Sequence, residues 1–389
     1  MQNRLKSKLP VPMDAAAQSL RSVHRAASDL RRGTPVLLQS NHHALVIAAA
    51  ETVGKEGLAE IAACATAPAS LLVAPTRAAA LVRVGDHHRS PGGEGGAAAP
   101  REAAAFRLSP ALADPGALRA LADPTLGAVL PETPQPAGEP PPLAEAGLAL
   151  AKIARLLPAV VAAPARVLPE LELLAVLAAD ILAYPDATAA SLRPVAETSV
   201  PLDGAADARL VAFRAADGGV EHLAILVGRP EEMAVSDKAT LVRLHSECFT
   251  GDLLGSLRCD CGPQLRGAIR RMAEEGSGVL LYLAQEGRGI GLVNKLRAYR
   301  LQDSGLDTLD ANRALGWSAD ERDFLVAATM LEYLGIERIR LLTNNPDKLA
   351  ALAACGIRVE GREAHAFAPN GVNDGYLETK AKRFGHLLA

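Results

Sequence analysis

Three of the chain's five cysteines fall within fourteen positions: Cys248, then Cys259-Asp260-Cys261 after an interval of ten residues. Thiols gathered this tightly require a loop and its return to meet at one point, which constrains residues 248–261 more than any hydrophobic pattern does. An odd number of cysteines in a large chain points to metal chemistry in a reducing compartment, not to a disulfide framework. Thiolates suit the borderline-soft Zn²⁺ ion, and three protein ligands leave the fourth tetrahedral position for water. His245 is the neighbour able to close that shell, which would make the site structural instead. An open zinc site turns its water toward hydroxide near neutral pH and suits hydrolysis of an electrophilic carbon. Cys64 and Cys355 lie in Ala-rich apolar contexts and are expected in the core.

The chain has 389 residues, enough for two or three domains with separate cores. It is 49% hydrophobic and 22% charged with a net charge of -3, which gives no sign of a nucleic-acid or membrane surface. The basic segment Met1 to Pro12 has no apolar h-region behind it, and no apolar run reaches the roughly 18 residues of a membrane span. A cytoplasmic location is the expectation.

The pattern changes near residue 195. Before it, Ala and Leu dominate and charge is sparse, with Gly/Pro-rich loops expected at Arg89 to Pro100 and Pro131 to Pro142. Ala15 to Arg32 has helical spacing closed by Gly33, followed by a strand at Pro35 to Leu38. Leu171 to Ala183 reads as a last helix before Tyr184-Pro185, and Asp186 to Val195 as a linker. Beyond it, Arg209 to Phe213 and His222 to Val227 read as a hairpin, and Thr240 to His245 as a further strand. Pro263 to Glu275 reads as a helix, Gly278 to Leu283 as a buried strand, and Ser318 to Leu334 as a helix opened by a Ser318/Glu321 capping box and closed by Gly335. A strand from Ile339 to Thr343 leads into a helix at Pro346. The expected fold class is α/β (α+β), with two domains that are each a mixed sheet packed with helices: a basic tail over 1–14, one domain over 15–190 and another over 195–389.

Two turns in the second half can hold an anion. Gln285-Glu286-Gly287-Arg288-Gly289-Ile290-Gly291 follows a strand, and its glycines allow close backbone approach while Arg288 can fork onto phosphate; a plain turn is the alternative. Thr343-Asn344-Asn345-Pro346-Asp347-Lys348 passes from strand to helix, with Asn345 at the cap. Capping does not explain Lys348, a cation where the helix dipole disfavours one. In Asp320-Glu321-Arg322-Asp323 the acids are ordinary partners of a helix start, whereas Arg322 needs a salt bridge or an anion.

Arg243-Leu-His-Ser-Glu-Cys248, Ser256-Leu-Arg-Cys-Asp-Cys-Gly262, Gln285-Glu-Gly-Arg288, Asn294-Lys-Leu-Arg-Ala-Tyr299, Ala319-Asp-Glu-Arg-Asp323 and Leu342-Thr-Asn-Asn-Pro346 together resemble GTP cyclohydrolase II in order and spacing over residues 195–389. The resemblance implies Cys248, Cys259 and Cys261 as ligands of one Zn²⁺ per subunit, Asp320 as proton acceptor and Arg322 as nucleophile toward the α-phosphate. It implies that GTP is contacted by Arg243, Leu244, His245, Ser246, Glu247, Gln264, Glu286, Gly287, Arg288, Thr308, Thr343 and Lys348. The implied reaction releases diphosphate, with Mg²⁺ at the phosphates, and then formate by attack of zinc-activated water on the imidazole C8. The product would be 2,5-diamino-6-ribosylamino-4(3H)-pyrimidinone 5′-phosphate, an early intermediate toward riboflavin, made by a homodimer. Relatives that stop at the formamidopyrimidine replace the tyrosine present here as Tyr299, so its presence favours the full reaction.

Leu30-Arg-Arg-Gly-Thr-Pro-Val-Leu-Leu38 and Ala48-Ala-Ala-Glu-Thr52 resemble 3,4-dihydroxy-2-butanone 4-phosphate synthase, a frequent fusion partner of that family. Where the synthase carries a run of acids and an arginine, this chain has Gln39-Ser-Asn-His-His-Ala-Leu45. A hard cation lacks its carboxylates there. His42 and His43, like Asp86-His-His-Arg89, read as solvated, and the half is expected to keep the fold without the synthase chemistry. The alternatives are an enzyme that stops early or opens another nucleotide, a bifunctional enzyme that still makes the four-carbon unit, and a regulatory or dimerising N-terminal module.

Overall fold

The computed structural model describes residues 14–85, 103–166, 172–234 and 238–387. Residues 1–13 of the tail, the whole Arg89 to Pro100 stretch and Asp86-His-His-Arg89 lie outside them. Among the described residues the strands form two seven-stranded sheets, each mixed in direction. The first contains β1 (Val36–Gln39), β2 (Ala44–Ala49), β3 (Ser70–Val73), β4 (Ala104–Arg107), β5 (Pro136–Gly138), β6 (Ala159–Pro164) and β7 (Leu174–Leu177), in the order β5-β4-β3-β6-β2-β1-β7. The second contains β8 (Arg193–Ser199), β9 (Arg209–Arg214), β10 (His222–Gly228), β11 (Thr240–Ser246), β12 (Ser277–Leu283), β13 (Arg338–Leu342) and β14 (Arg358–Glu363), in the order β14-β13-β11-β12-β10-β9-β8. The expected α/β class with two mixed sheets is what the chain adopts.

Helices α1 (Ala15–Arg32), α2 (Lys55–Cys64), α3 (Pro75–Gly85), α4 (Pro115–Ala122), α5 (Ala144–Ile153) and α6 (Ala178–Ala190) accompany the first sheet. Helices α7 (Pro230–Ala234), α8 (Cys261–Glu275), α9 (Leu292–Asp303), α10 (Thr308–Ala314), α11 (Leu325–Tyr333), α12 (Asp347–Ala354) and α13 (Asp374–Phe384) follow in the second half. Leu20, Val23, Ala27 and Leu30 recur at helical spacing on α1 and bury against the first sheet, and Gly33 ends the helix at φ 81°, where its N–H returns to Leu30 O.

Two local expectations need correction. The helix expected at Leu171 to Ala183 begins at Ala178, because Leu174–Leu177 pairs in parallel with β1. It then continues through Tyr184-Pro185 to Ala190, so the segment read as a linker is helix and then β8. Tertiary contacts outweigh the proline: Ile181 and Tyr184 bury in the core of the first sheet, Ala189 and Leu192 in that of the second, and Tyr184 donates its hydroxyl to Asp217. One element therefore serves both cores.

The helix expected from Ser318 begins only at Leu325. Glu321 does accept from Ser318 N, as in a capping box, at 2.7 Å. The same carboxylate also takes Lys152 of the first half at 2.7 Å, and Glu321 N donates to Arg288 O, so long-range partners hold the segment out of the helix. Asp323, one residue before the cap position Phe324, instead accepts from the first helical N–H, that of Leu325, at 2.8 Å.

The two halves share a core. Ile290, Ala298, Leu301, Ala311, Leu315 and Trp317 of the second half cluster with Val46, Leu71, Val73 and Leu121 of the first. Trp317 is 1% exposed, with Lys152 Nζ 5.7 Å from its ring centroid.

Candidate active site

The carboxyl ends of the parallel strands β11, β12 and β13 and the segments that follow them surround one pocket. Ligand sites in such sheets form where the strand ends release their loops. Every site residue singled out from the sequence lines it, except Asp320. Asp320 stands just behind: its carboxylate accepts from Arg322 Nε at 2.8 Å and from Arg322 Nη2, a two-point pair that aims the guanidinium. Burial pushes the Asp320 carboxyl up, but Arg322 outweighs it and holds it below its usual range.

Cys248 follows β11, and Cys259 and Cys261 lie at the entry to α8. Their sulfurs all lie within 4.8 Å of one another, with Cys248 Sγ 3.8 Å from Cys259 Sγ. A tetrahedral ion with bonds of about 2.3 Å to sulfur needs S···S edges of about 3.8 Å, so the donors and their spacing fit zinc. Gly251 keeps the space open: a Cβ there would sit 2.6 Å from Cys259 Sγ and 3.0 Å from Cys248 Sγ. His245 does not close the shell. Its Nε2 lies 3.1 Å from both carboxylate oxygens of Asp252, and its ring stacks on Tyr282. Among the described residues, no other group of three or more His, Cys, Asp or Glu side chains is arranged to hold a metal.

Cations dominate the rest of the pocket. Arg243 is buried, with Nη1 on Leu342 O and Nη2 on Gln264 Oε1, and its Nε has no protein partner. Burial lowers it to about 10. Lys348 is also buried and donates to Leu244 O at 3.0 Å; desolvation, with Arg322 and Arg243 nearby, pushes its ammonium well below the usual range. Buried cations with neutral partners have charge left for an anion. The turn before α12 is shaped by side chains, Thr343 Oγ1 accepting from Asn345 N and Asn345 Oδ1 from Asp347 N. Gly287 and Arg288 both adopt φ 63°, and Arg288 lies over the Phe384 ring at 4.1 Å.

Sequence reasoning missed Lys295 and the C-terminal helix. Lys295 lay inside a quoted motif, yet nothing local gave it a role. Its Nζ is 3.0 Å from Cys248 Sγ, 3.0 Å from Thr250 Oγ1 and 2.8 Å from Glu286 Oε1. Glu286, expected to accept from substrate, is buried and committed to the protein, taking Phe249 N and Gly287 N as well. Tyr376, Lys380 and His386 complete the wall, and Lys380 pairs with Asp260 at 2.6 Å.

The family model for GTP cyclohydrolase II matches residues 193–364. The GTP cyclohydrolase-2 of Azospirillum brasilense is 47% identical over 393 aligned residues, spanning 97% of this chain and 96% of that protein. The chain belongs to the GTP cyclohydrolase II family. The riboflavin biosynthesis protein RibBA of Parabacteroides distasonis is 45% identical over 209 residues, covering 54% of this chain and 50% of that one. Among solved structures, a two-domain 3,4-dihydroxy-2-butanone 4-phosphate synthase from A. baumannii aligns over 89% of this chain and 99% of its own, at a TM-score of 0.32 and 18% identity, a likeness too loose to carry function. The thiols and cations singled out from the sequence thus sit in one pocket, within a chain that resembles the Azospirillum protein over nearly its whole length.

Proposed function

We propose that the pocket opens the guanine ring of GTP at zinc, giving 2,5-diamino-6-ribosylamino-4(3H)-pyrimidinone 5′-phosphate, formate and diphosphate, the first step toward riboflavin. The observation that carries this reading is the zinc-sized triangle of Cys248, Cys259 and Cys261 sharing one pocket with Arg243, Arg322 and Lys348. Zinc, when bound there, supplies a Lewis acid that makes water nucleophilic near neutral pH.

The chain's own groups divide the remaining work. Lys295 offsets thiolate charge at Cys248 and fixes Glu286. Arg243, Arg288 and Lys348 offer charge to the triphosphate, and Mg²⁺, a hard cation that suits phosphate oxygens and not thiols, would neutralise more of it. Asp320 holds Arg322 by its Nε and Nη2. In that geometry a carboxylate is placed to take a guanidinium proton as Arg322 attacks the α-phosphate. Tyr299 lines the pocket and supports deformylation over arrest at the formamidopyrimidine.

Residues 195–389 would form the catalytic domain, working as a homodimer. The exposed Leu253, Leu254 and Leu257 on the loop after Cys248 and Val293 and Leu296 on α9 offer apolar surface to a second copy. Residues 15–190 would be a synthase-like domain without synthase activity. His42 and His43 are exposed on the β1–β2 turn, where Ser40 Oγ accepts both of their N–H groups.

The decisive measurement is metal content with GTP turnover for Cys259→Ser. Loss of both is expected, and retention of both would reject the zinc assignment. Product mass separates full reaction from early arrest, since a retained formyl group would rule out the former. Formate production from ribulose 5-phosphate would overturn the degenerate reading of the first half.

A further inference from the structure

Helix α9 carries Lys295 and Tyr299 into the pocket. These two are four residues apart and share a face, whereas Arg297, midway between them, is turned roughly 200° away by the helical repeat. That opposite face meets the first half of the chain. Arg297 Nη2 is 2.7 Å from Glu51 and its Nε 2.8 Å from Asp123, and all three side chains are largely shielded from water. Its Nη1 donates to Asn294 Oδ1 at 2.8 Å.

The acceptors are themselves fixed. Glu51 takes Leu157 N at 2.8 Å through its other oxygen, and Asp123 takes Thr125 N at 2.9 Å and Thr125 Oγ1 at 2.7 Å. Asn294, fully buried, donates to Arg155 O and Ile290 O, both at 3.0 Å. Below the ion cluster, Ala298 and Leu301 pack with Leu71, Val73 and Leu121. A planar guanidinium answering to Glu51 and Asp123, acceptors from two separate segments of the first half, sets both the rotation and the height of the helix that bears it. A one-residue turn of α9 would swing Lys295 away from Cys248 and Glu286.

We infer that Arg297, Glu51 and Asp123 are positioning residues for Lys295 and Tyr299, which makes the first half a structural part of the candidate active site whether or not it has chemistry of its own. This rests on the proposed function for its catalytic consequence, but not for its structural one.

The test compares wild type with Glu51→Gln, Asp123→Asn and Arg297→Lys in the full zinc-loaded chain. The first two are near-isosteric and remain informative if Arg297→Lys fails to fold. Hydrogen exchange of the α9 amides should accelerate about tenfold or more in each, while β12 amides stay protected. For folded, zinc-replete enzyme, kcat should fall about tenfold with KM for GTP changed less than about threefold, because Lys295 touches the thiol and not the phosphate subsite. Unchanged α9 exchange overturns the inference, whatever the activity. So does a lower melting temperature with kcat intact, since that is what a merely stabilising ion cluster would give. If wild type itself releases no formate from GTP, the proposed reaction fails, and the exchange measurement still decides the clamp.

Discussion

Gly251 has no chemistry of its own, yet it decides whether three thiols can meet. A methyl group at that position would lie inside the contact distance of two sulfurs. Gly251→Ala should therefore abolish zinc retention while leaving the distant sheet core folded, as checked by metal analysis beside far-ultraviolet circular dichroism; a zinc-replete variant would contradict the packing argument. Arg322 is the corresponding case for charge. Its two-point contact with Asp320 cannot be reproduced by an ammonium, so Arg322→Lys should lower kcat by at least about tenfold in a GTP turnover assay. The meeting of the three thiols was legible in the sequence because their identity and separation are local. Lys295 did not, because its partners Cys248, Thr250 and Glu286 come from other segments.

At the level of elements, two buried histidines tie loops down, one to a strand of the second sheet and one to α8. His222 on β10 accepts from Ala284 N at 3.0 Å, and His365 after β14 donates to Gln264 O at 2.7 Å. Burial, aided by Arg155 in one case and Arg243 in the other, lowers each to about 4 from an ordinary 6.5. The unfolded chain takes up these protons near pH 6.5 and the folded chain only near 4. The stability they allow is therefore complete above about pH 6.5 and is lost as pH falls toward 4, on the order of 3 kcal/mol for each. Denaturant unfolding between pH 7 and 4.5 should show that decline, and His222→Gln should flatten part of it. The hairpin of β9 and β10 and the strands around the pocket were legible in the sequence because alternation and turn residues are short-range signals. The start of α11 and the passage of α6 through Pro185 were not, since Lys152 and the two cores they serve lie far off in sequence.

For the whole molecule, the joint between the halves is an apolar core edged by ion pairs, not a flexible linker. Residues 193–389 expressed alone would leave Leu301, Leu315 and Trp317 facing water. That fragment should aggregate or melt well below the full chain, measured by light scattering and calorimetry; a monomeric fragment of unchanged melting temperature would contradict the shared core. The division of the chain near residue 195 was visible as a change of composition. The joint was invisible, because each half contributes apolar residues that look like ordinary core when read alone.

Trp317 is the chain's single tryptophan, and it lies on this joint with its indole shielded from water beneath Lys152. The molecule thus carries its own optical gauge: ultraviolet emission excited at the indole reports the seam between the halves and little else. If the halves part before either melts, the emission will move to longer wavelength ahead of the loss of helical ellipticity.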